Sequence, residues 1–176
     1  MDEKELKGVL EALLMHSNVP LSVTKLRGVF DDWQKPSIET LKKVLASLKN
    51  DYNNRAIELK FLASGYCFQT RADYAPWIIK LHEEKPTKYS SAFLETLVII
   101  AYKQPLTRAD IEAIRGVAVS SSIIKTMLER GWVQTAGHRD VPGKPVLYVT
   151  TKLFLDYFNL QSLEDLPNLP TSIDDA

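Results

Sequence analysis

The chain has 176 residues, 45% of them hydrophobic, with 22 basic residues balanced by 22 acidic residues and with a single cysteine. This composition is that of an ordinary globular protein, and the balanced charge removes the simplest argument for nucleic-acid binding, which is a strongly basic surface. The single cysteine excludes a disulfide-stapled secreted scaffold, and the longest apolar run is too short for a membrane span, so we expect a cytoplasmic chain.

The sequence repeats itself once. Residues 9–26 align with residues 94–111, so that apolar positions fall on apolar positions and Pro20 falls on Pro105. A second pair of similar runs, YCFQT and LYVTT, follows later in the two copies. A repeat of this kind predicts two similar structural modules.

The first copy predicts three helices, a hairpin and a closing helix. Apolar residues at helical spacing open the copy, Pro20 ends that helix, and Ser22 is the predicted N-cap of the next one. A third helix is predicted over residues 37–52, followed by an alternating hairpin that turns at Ser64-Gly65. The closing helix is predicted from residue 71 to residue 81 and is expected to pack on the first helix.

The second copy predicts the same order of elements. Thr107 is the predicted N-cap of its second helix, and Asp110 stands at the capping-box position. The third helix is predicted to end at Gly131, because glycine commonly follows the last helical turn. A hairpin that turns at Pro142-Gly143 and a closing helix over residues 152–159 complete the copy.

These elements predict a mainly α fold with small β hairpins, in the α+β class, built as two tandem winged-helix domains. The predicted domains span residues 1–84 and 85–166, with a short charged linker at 83–88 and a flexible acidic tail at 167–176. Modules of this size bury a smaller fraction of their surface than one core for the whole chain would bury, which favours a partner surface.

Groups that could perform catalysis do not converge in the sequence. His16, His82 and His138 lie far apart, and Cys67 stands between two aromatic residues in a strand, which is typical of a buried small apolar residue. A Gly-rich phosphate loop is absent. The sequence therefore predicts no catalytic residue, no cofactor and no metal site. We expect a protein that is not an enzyme, and an unrecognised active site is the remaining catalytic alternative.

DNA binding is a further possibility, because winged helices often place their third helix in the major groove. In the second copy, Lys125 and Arg130 are offset by Glu129, and the Asn, Gln and Arg cluster that base readout prefers is missing. A winged-helix DNA-binding regulator is therefore the alternative function. Contact with DNA is expected to be weak or indirect at most.

Several motifs in the second copy are more specific than the fold. The longest is ETLVIIAYKQPLTRADIEAIRGV, from Glu95 to Val117. It is followed by LERGWV from Leu128, GHRDVPGKPVLYVTT from Gly137, FLDYFNL from Phe154 and SLEDLP from Ser162. In this order the motifs resemble the segregation and condensation protein B (ScpB) family, and the resemblance covers nearly the whole chain.

The resemblance implies a cytoplasmic, nucleoid-associated and non-catalytic subunit of a bacterial condensin-like SMC complex. Such a subunit would form a homodimer, bind the kleisin ScpA and reach the SMC ATPase through the kleisin, in chromosome condensation and segregation. The resemblance also implies that dimerisation lies largely on the first module and that much of the kleisin contact lies on the second.

The wing of the second module is the predicted partner-binding zone. Its prolines and its glycine make a stiff, exposed loop around charged residues that can fix the orientation of a partner. An equally open alternative is that VPGKP is simply a good turn. The predicted partner-binding residues are Arg139, Asp140, Val141, Pro142, Gly143, Lys144 and Pro145.

Overall fold

The chain divides into two compact units, Met1–Lys88 and Tyr89–Ala176. The computed structural model describes residues 2–82 and 88–168. Residues 83–87 of the predicted linker and residues 169–176 of the predicted acidic tail therefore lie outside the described residues. Each unit is described below by itself.

The first unit contains three helices, a hairpin and a terminal helix. The N-caps follow from short polar side chains placed before each helix: Ser22 Oγ accepts a hydrogen bond from Lys25 N at 3.1 Å, and Ser37 Oγ accepts one from Thr40 N at 3.0 Å. The predicted cap at Ser22 is thus confirmed. The elements are α1 (Glu3–His16), α2 (Val23–Arg27), α3 (Ile38–Asp51), β1 (Ile57–Leu62), β2 (Gly65–Thr70), a 3-10 helix (Ala72–Tyr74) and α4 (Ala75–His82).

The β1–β2 hairpin is antiparallel, with Ile57 opposite Thr70 and Leu62 opposite Gly65. Leu21 and Tyr66 exchange both backbone hydrogen bonds, at 2.8 and 2.9 Å, so a one-residue bridge joins the segment before α2 to the hairpin. The core of this unit lies where α1, α2 and α3 cover the hairpin. Its buried residues are Leu6, Leu10, Leu14, Leu21, Leu26, Phe30, Leu41, Val44, Leu45, Leu48, Tyr52 and Leu59.

The second unit repeats this order. Thr107 Oγ1 accepts a hydrogen bond from Asp110 N at 3.2 Å, and the Asp110 carboxylate accepts one from Thr107 N at 2.8 Å, so the predicted capping box is confirmed. The elements are α5 (Ser91–Lys103), α6 (Arg108–Arg115), α7 (Ser121–Glu129), β3 (Val133–His138), β4 (Val146–Thr150), α8 (Lys152–Tyr157) and a 3-10 helix (Leu163–Asp165).

The second hairpin has a matching one-residue bridge, because Leu106 and Tyr148 exchange backbone hydrogen bonds at 3.2 and 2.8 Å. An aromatic cluster around Trp132 closes one end of the core, with the Tyr157 ring centroid 4.4 Å from that of Trp132. The buried residues of this core are Phe93, Leu97, Ile100, Ala101, Leu106, Ile111, Val119, Ile124, Met127, Trp132, Val133 and Phe154.

The α+β fold class is confirmed, and the order of elements in each unit is that of a winged-helix module. The closing helices of the two units differ. Phe154 of α8 lies in the core of the second unit, whereas α4 contributes no residue to the described core of the first unit. Trp77, Ile79 and Leu81 of α4 are exposed and Ile78 is half-buried, and the expected packing of this helix on α1 stays a prediction.

Candidate protein-interaction surfaces

The wing that joins β3 to β4 is a closed loop. Arg139 N donates to Pro145 O at 2.9 Å across its base, and Lys144 N donates to Val141 O at 2.9 Å inside it. Gly143 and Lys144 both have positive φ, of 85° and 38°. Because these hydrogen bonds fix the path of the backbone, the wing holds its exposed residues in one geometry.

The base of the wing is tied to α6 by an ion pair. Arg139 Nη2 lies 2.7 Å from Asp110 Oδ2, and Arg139 Nη1 donates to Asp110 Oδ1 at 2.9 Å. The Arg139 guanidinium, together with hydrogen bonds from the Thr107 backbone and hydroxyl, lowers the pKa of Asp110 to about 2. The carboxylate is therefore ionised at neutral pH and joins the cap of α6 to the wing.

This ion pair divides the predicted partner-binding residues into two groups. Arg139 is engaged with Asp110, and Pro145 is half-buried. Residues 140–144 are exposed at the tip. The structure thus presents a tip that carries one acid, Asp140, and one base, Lys144, with the apolar Val141 between them. The sequence did not reveal that Arg139 is occupied, because its partner lies 29 residues earlier in the chain.

A second surface of this unit is an apolar groove between α5, α8 and the residues that follow α8. Its volume is about 280 Å³. Leu94 and Val98 on α5 and Phe158 after α8 are 40–42% exposed, so their side chains are open to a ligand. Tyr102 carries the only hydroxyl among the lining residues and donates it to Pro167 O. The lining residues are Leu94, Leu97, Val98, Ala101, Tyr102, Phe154, Phe158, Leu160, Leu166 and Pro167.

The chemistry of this groove suits an apolar polypeptide segment. A groove without charged lining groups offers no counter-ion for a charged ligand, but it can remove leucine-sized side chains from water. Sequence reasoning missed the groove, because its walls come from segments about 60 residues apart. The motifs FLDYFNL and SLEDLP contain the residues of one wall and were the available signal.

The cations of the predicted DNA-reading helix have partners within the chain. Lys125 Nζ lies 3.7 Å from Glu129 Oε1. The Arg130 guanidinium stacks over the rings of Tyr89 and Trp132, at 4.9 and 5.5 Å from their centroids. Lys125 stays exposed in this pair, whereas Arg130 is held against the two rings. No observation on α7 favours a nucleic-acid partner over a protein partner.

The described residues contain no group of three or more His, Cys, Asp and Glu side chains that could hold a metal ion. Cys67 is buried in β2, in agreement with the apolar role expected for it. Within residues 2–82 and 88–168, the structure has no helix with both the length and the hydrophobicity that crossing a bilayer requires.

Comparison with known proteins identifies the family. The family model described as segregation and condensation complex subunit ScpB matches residues 8–169. A segregation and condensation protein B homolog of Coxiella burnetii is 51% identical over 174 residues, which cover 99% of this chain and 83% of that protein. Segregation and condensation protein B of Syntrophotalea carbinolica is 43% identical over 171 residues, which cover 96% of this chain and 84% of that protein.

Two solved structures are also similar. The crystal structure of ScpB from Mycobacterium tuberculosis is 35% identical, covers 91% of this chain and 98% of its own, and has a TM-score of 0.42. A dimer of the ScpB N-terminal domain complexed with an ScpA peptide is 27% identical, covers 44% of this chain and 95% of its own, and has a TM-score of 0.40. Because both TM-scores are low, the assignment rests on the sequence matches: the chain belongs to the ScpB family of segregation and condensation complex subunits.

Proposed function

We propose that the chain is a non-catalytic scaffold subunit of a bacterial condensin-like SMC complex. In this role it forms a homodimer, binds the kleisin ScpA and reaches the SMC ATPase through the kleisin, in chromosome condensation and segregation. The observation that carries the proposal is the match of the ScpB family model to residues 8–169. The names of the relatives, segregation and condensation protein B, support the same process. A cytoplasmic, nucleoid-associated location belongs to the proposal.

The two units have different tasks in this proposal. The first domain, residues 1–84, carries the homodimer contact, and the second domain, residues 85–166, carries much of the contact with ScpA. The apolar groove of the second unit supports this division, because it offers a surface for apolar side chains of a flexible segment. A partner segment that folds on binding loses conformational entropy, but it can contact a large surface.

The wing completes the proposed ScpA site. Residues 140–144 present both signs of charge on a loop whose backbone is already fixed, so little entropy is lost when a partner docks there. Apolar contacts in the groove then supply affinity, and the charged tip sets the orientation of the bound segment.

Calorimetry of the 176-residue chain with the central segment of ScpA tests the proposal. Val98→Glu places a charge in the groove at a position that is already 42% exposed, so the fold should be retained. We expect this variant to weaken ScpA binding by roughly tenfold to a hundredfold, since a buried, unpaired charge is costly. Leu153→Glu is the matched control, because Leu153 is 54% exposed and does not line the groove.

Absence of binding by the unmodified chain would contradict the proposal. If the Val98→Glu variant bound ScpA as tightly as the unmodified chain, the groove would not be part of the ScpA site. The DNA-binding alternative predicts the opposite pattern, in which a duplex binds tightly with a steep dependence on salt and ScpA does not bind. The non-catalytic assignment predicts that the isolated chain does not turn over ATP, and turnover that survives repurification would contradict it.

A further inference from the structure

A polar cleft of the second unit lies between α6, α7 and β4, apart from the apolar groove and the wing. Its volume is about 260 Å³. It shares no lining residue with the groove or with the predicted partner-binding residues of the wing. The lining residues are Arg108, Ser121, Ile124, Lys125, Leu128 and Tyr148.

The lining of this cleft carries positive charge. It contains two cations, Arg108 and Lys125, and no acidic residue. Glu112 and Glu129 pair with these cations, and each of these carboxylates lies one helical turn further along the same helix, outside the lining. The wall of the cleft therefore offers positive charge to a ligand without a competing carboxylate.

The Arg108 guanidinium is held in place by the chain itself. Its Nε donates to Glu112 Oε1 at 3.0 Å, its Nη1 donates to Ser121 Oγ at 3.0 Å, and its Nη2 donates to Val119 O. These contacts use three of the five N–H groups of the side chain, so two remain for a ligand. A donor that is already fixed loses little entropy when it binds.

Three further donors of the cleft are available to a ligand. Within the described residues, the Tyr148 hydroxyl has no hydrogen-bond partner, and the Ser121 hydroxyl accepts from Arg108 but has no acceptor for its own proton. Lys125 is 76% exposed, and its Nζ lies 3.7 Å from Glu129 Oε1, which is longer than a hydrogen bond. Such a set of donors suits an anionic group that only accepts hydrogen bonds.

The apolar part of the lining favours a carboxylate side chain over a phosphate. Ile124 is buried and Leu128 is 37% exposed, so apolar surface lies beside the donors. The methylene groups of an acidic side chain can pack on such a surface, whereas a phosphate has none. A nucleic acid would also bring its neighbouring phosphates towards the carboxylates of Glu112 and Glu129.

We propose that this cleft binds an acidic side chain, flanked by apolar residues, in a peptide segment of another protein. The carboxylate accepts hydrogen bonds from Arg108, Tyr148 and Ser121 and pairs with Lys125. The apolar neighbours of the acidic residue pack on Ile124 and Leu128. The face of α7 that faces DNA in many winged-helix proteins is thus a peptide-binding face in this chain.

NMR titration of the 176-residue chain with a blocked tripeptide, acetyl-Leu-Glu-Leu-amide, tests the inference. Its blocked ends leave the glutamate carboxylate as its only charge, and acetyl-Leu-Gln-Leu-amide is the matched uncharged peptide. We expect the Glu peptide to bind with millimolar affinity and to shift the amide signals of residues 121–128 and 148. The Gln peptide should bind roughly tenfold more weakly or less tightly still, since it lacks the charge.

Two variants locate the peptide in the cleft. Tyr148→Phe removes only a hydroxyl and should weaken binding of the Glu peptide by roughly threefold to tenfold. Lys125→Gln removes an exposed charge and should weaken it by roughly tenfold, again without loss of the fold. Lys152→Gln is the matched control, because Lys152 is an exposed lysine of the same unit that does not line the cleft, and it should bind the peptide normally.

Several results would overturn the inference. Equal binding of the Glu and Gln peptides would exclude recognition of the carboxylate, and shifts confined to α5 and α8 would place the peptide in the groove instead. The absence of shifts at about 20 mM peptide would show that the cleft does not bind it. Tighter binding of a short DNA duplex at the same amides would assign the cleft to phosphate.

Calorimetry with ScpA separates this inference from the proposed function. Failure of the unmodified chain to bind ScpA would contradict the proposed function, while specific binding of the Glu peptide would still support the cleft. Normal ScpA binding together with equal binding of the two peptides would overturn the cleft alone. Weaker binding of both ScpA and the Glu peptide by Tyr148→Phe would support the cleft and identify ScpA as a protein that occupies it.

Discussion

Asp110 links three parts of the second unit through one carboxylate. It accepts hydrogen bonds from the backbone and the hydroxyl of Thr107, and it pairs with Arg139 at the base of the wing. The first two contacts hold the start of α6, and the third holds the wing. One acidic side chain therefore sets the position of the loop that we propose as part of the ScpA site.

Acid should weaken this junction in a definite pH range. The pKa of Asp110 is lowered in the folded chain from 3.8 to about 2, chiefly by its hydrogen bond with Arg139, so ionised Asp110 stabilises the fold. This contribution is complete above the unfolded pKa and is lost as the pH falls through the folded pKa. We expect the difference in unfolding free energy between the unmodified chain and Asp110→Asn to shrink between about pH 5 and about pH 2.

Urea titrations of both proteins across this range measure that difference. Asp31→Asn is the control, since Asp31 is an exposed loop carboxylate in the first unit. A difference that stays constant down to the lowest pH would show that the ionised carboxylate does not stabilise the fold through Arg139.

Thr107 and Asp110 illustrate which residue contacts a sequence can predict. The capping box joins residues three apart, so the pattern TRAD is sufficient to predict it, and the structure confirms it. The Arg139 contact joins residues 29 apart through the fold of the hairpin, and no local pattern records it. The sequence predicts a stiff, exposed loop around charged residues, and it does not predict that Arg139 pairs with Asp110.

At the scale of elements, the first hairpin depends on a glycine that the sequence marks only as a turn residue. Gly65 has a φ of 142°, and a Cβ added there would lie 2.2 Å from Leu21 O and 2.5 Å from Ser22 N. The backbone before α2 approaches this closely because Leu21 pairs with Tyr66. Only glycine fits where the hairpin approaches the backbone of Leu21 and Ser22.

Gly65→Ala should therefore destabilise the chain by about 2 kcal/mol or more, through backbone strain and the displacement of Leu21. Gly8→Ala is the matched control, because Gly8 lies inside α1 with no atom near its missing Cβ. That change should raise the unfolding free energy by up to about 1 kcal/mol. Thermal and urea unfolding of the two variants measure both effects, and a Gly65→Ala chain as stable as the unmodified one would contradict the close approach.

The elements themselves were largely predictable, because they follow from local signals. Ser22 and Thr107, each two residues after a proline, are recognisable as helix caps, and alternating apolar residues identify both hairpins. The packing of α4 was not predictable. Its sequence is as apolar as that of a core helix. The core of the first unit nevertheless forms without α4 residues, and no local sequence pattern predicts this. The groove beside α8 was not predictable either, because its walls come from α5 and from α8 and the residues after it, which are distant in sequence.

At the scale of the whole molecule, the part of the chain that the structure describes contains two cores that share no residue. The first draws its buried side chains from residues 6–59 and the second from residues 93–154. Each core draws on three helices and the first strand of a hairpin, and the second core adds Phe154 of α8. A chain with two separate cores can lose one of them without direct loss of packing in the other. We therefore infer that each unit is a separate unit of stability.

Hydrogen exchange of two core variants tests this inference. Leu45 is fully buried in the first core and Met127 in the second, and truncation of either to alanine should cost about 2–5 kcal/mol within its own unit. We expect Leu45→Ala to speed the exchange of amides in α1 and α3 and to leave those in α5 and α7 nearly unchanged. Met127→Ala should show the reverse. Faster exchange throughout the chain in both variants would mean that the two cores unfold together, and the wing and groove could then not be altered independently of the first unit.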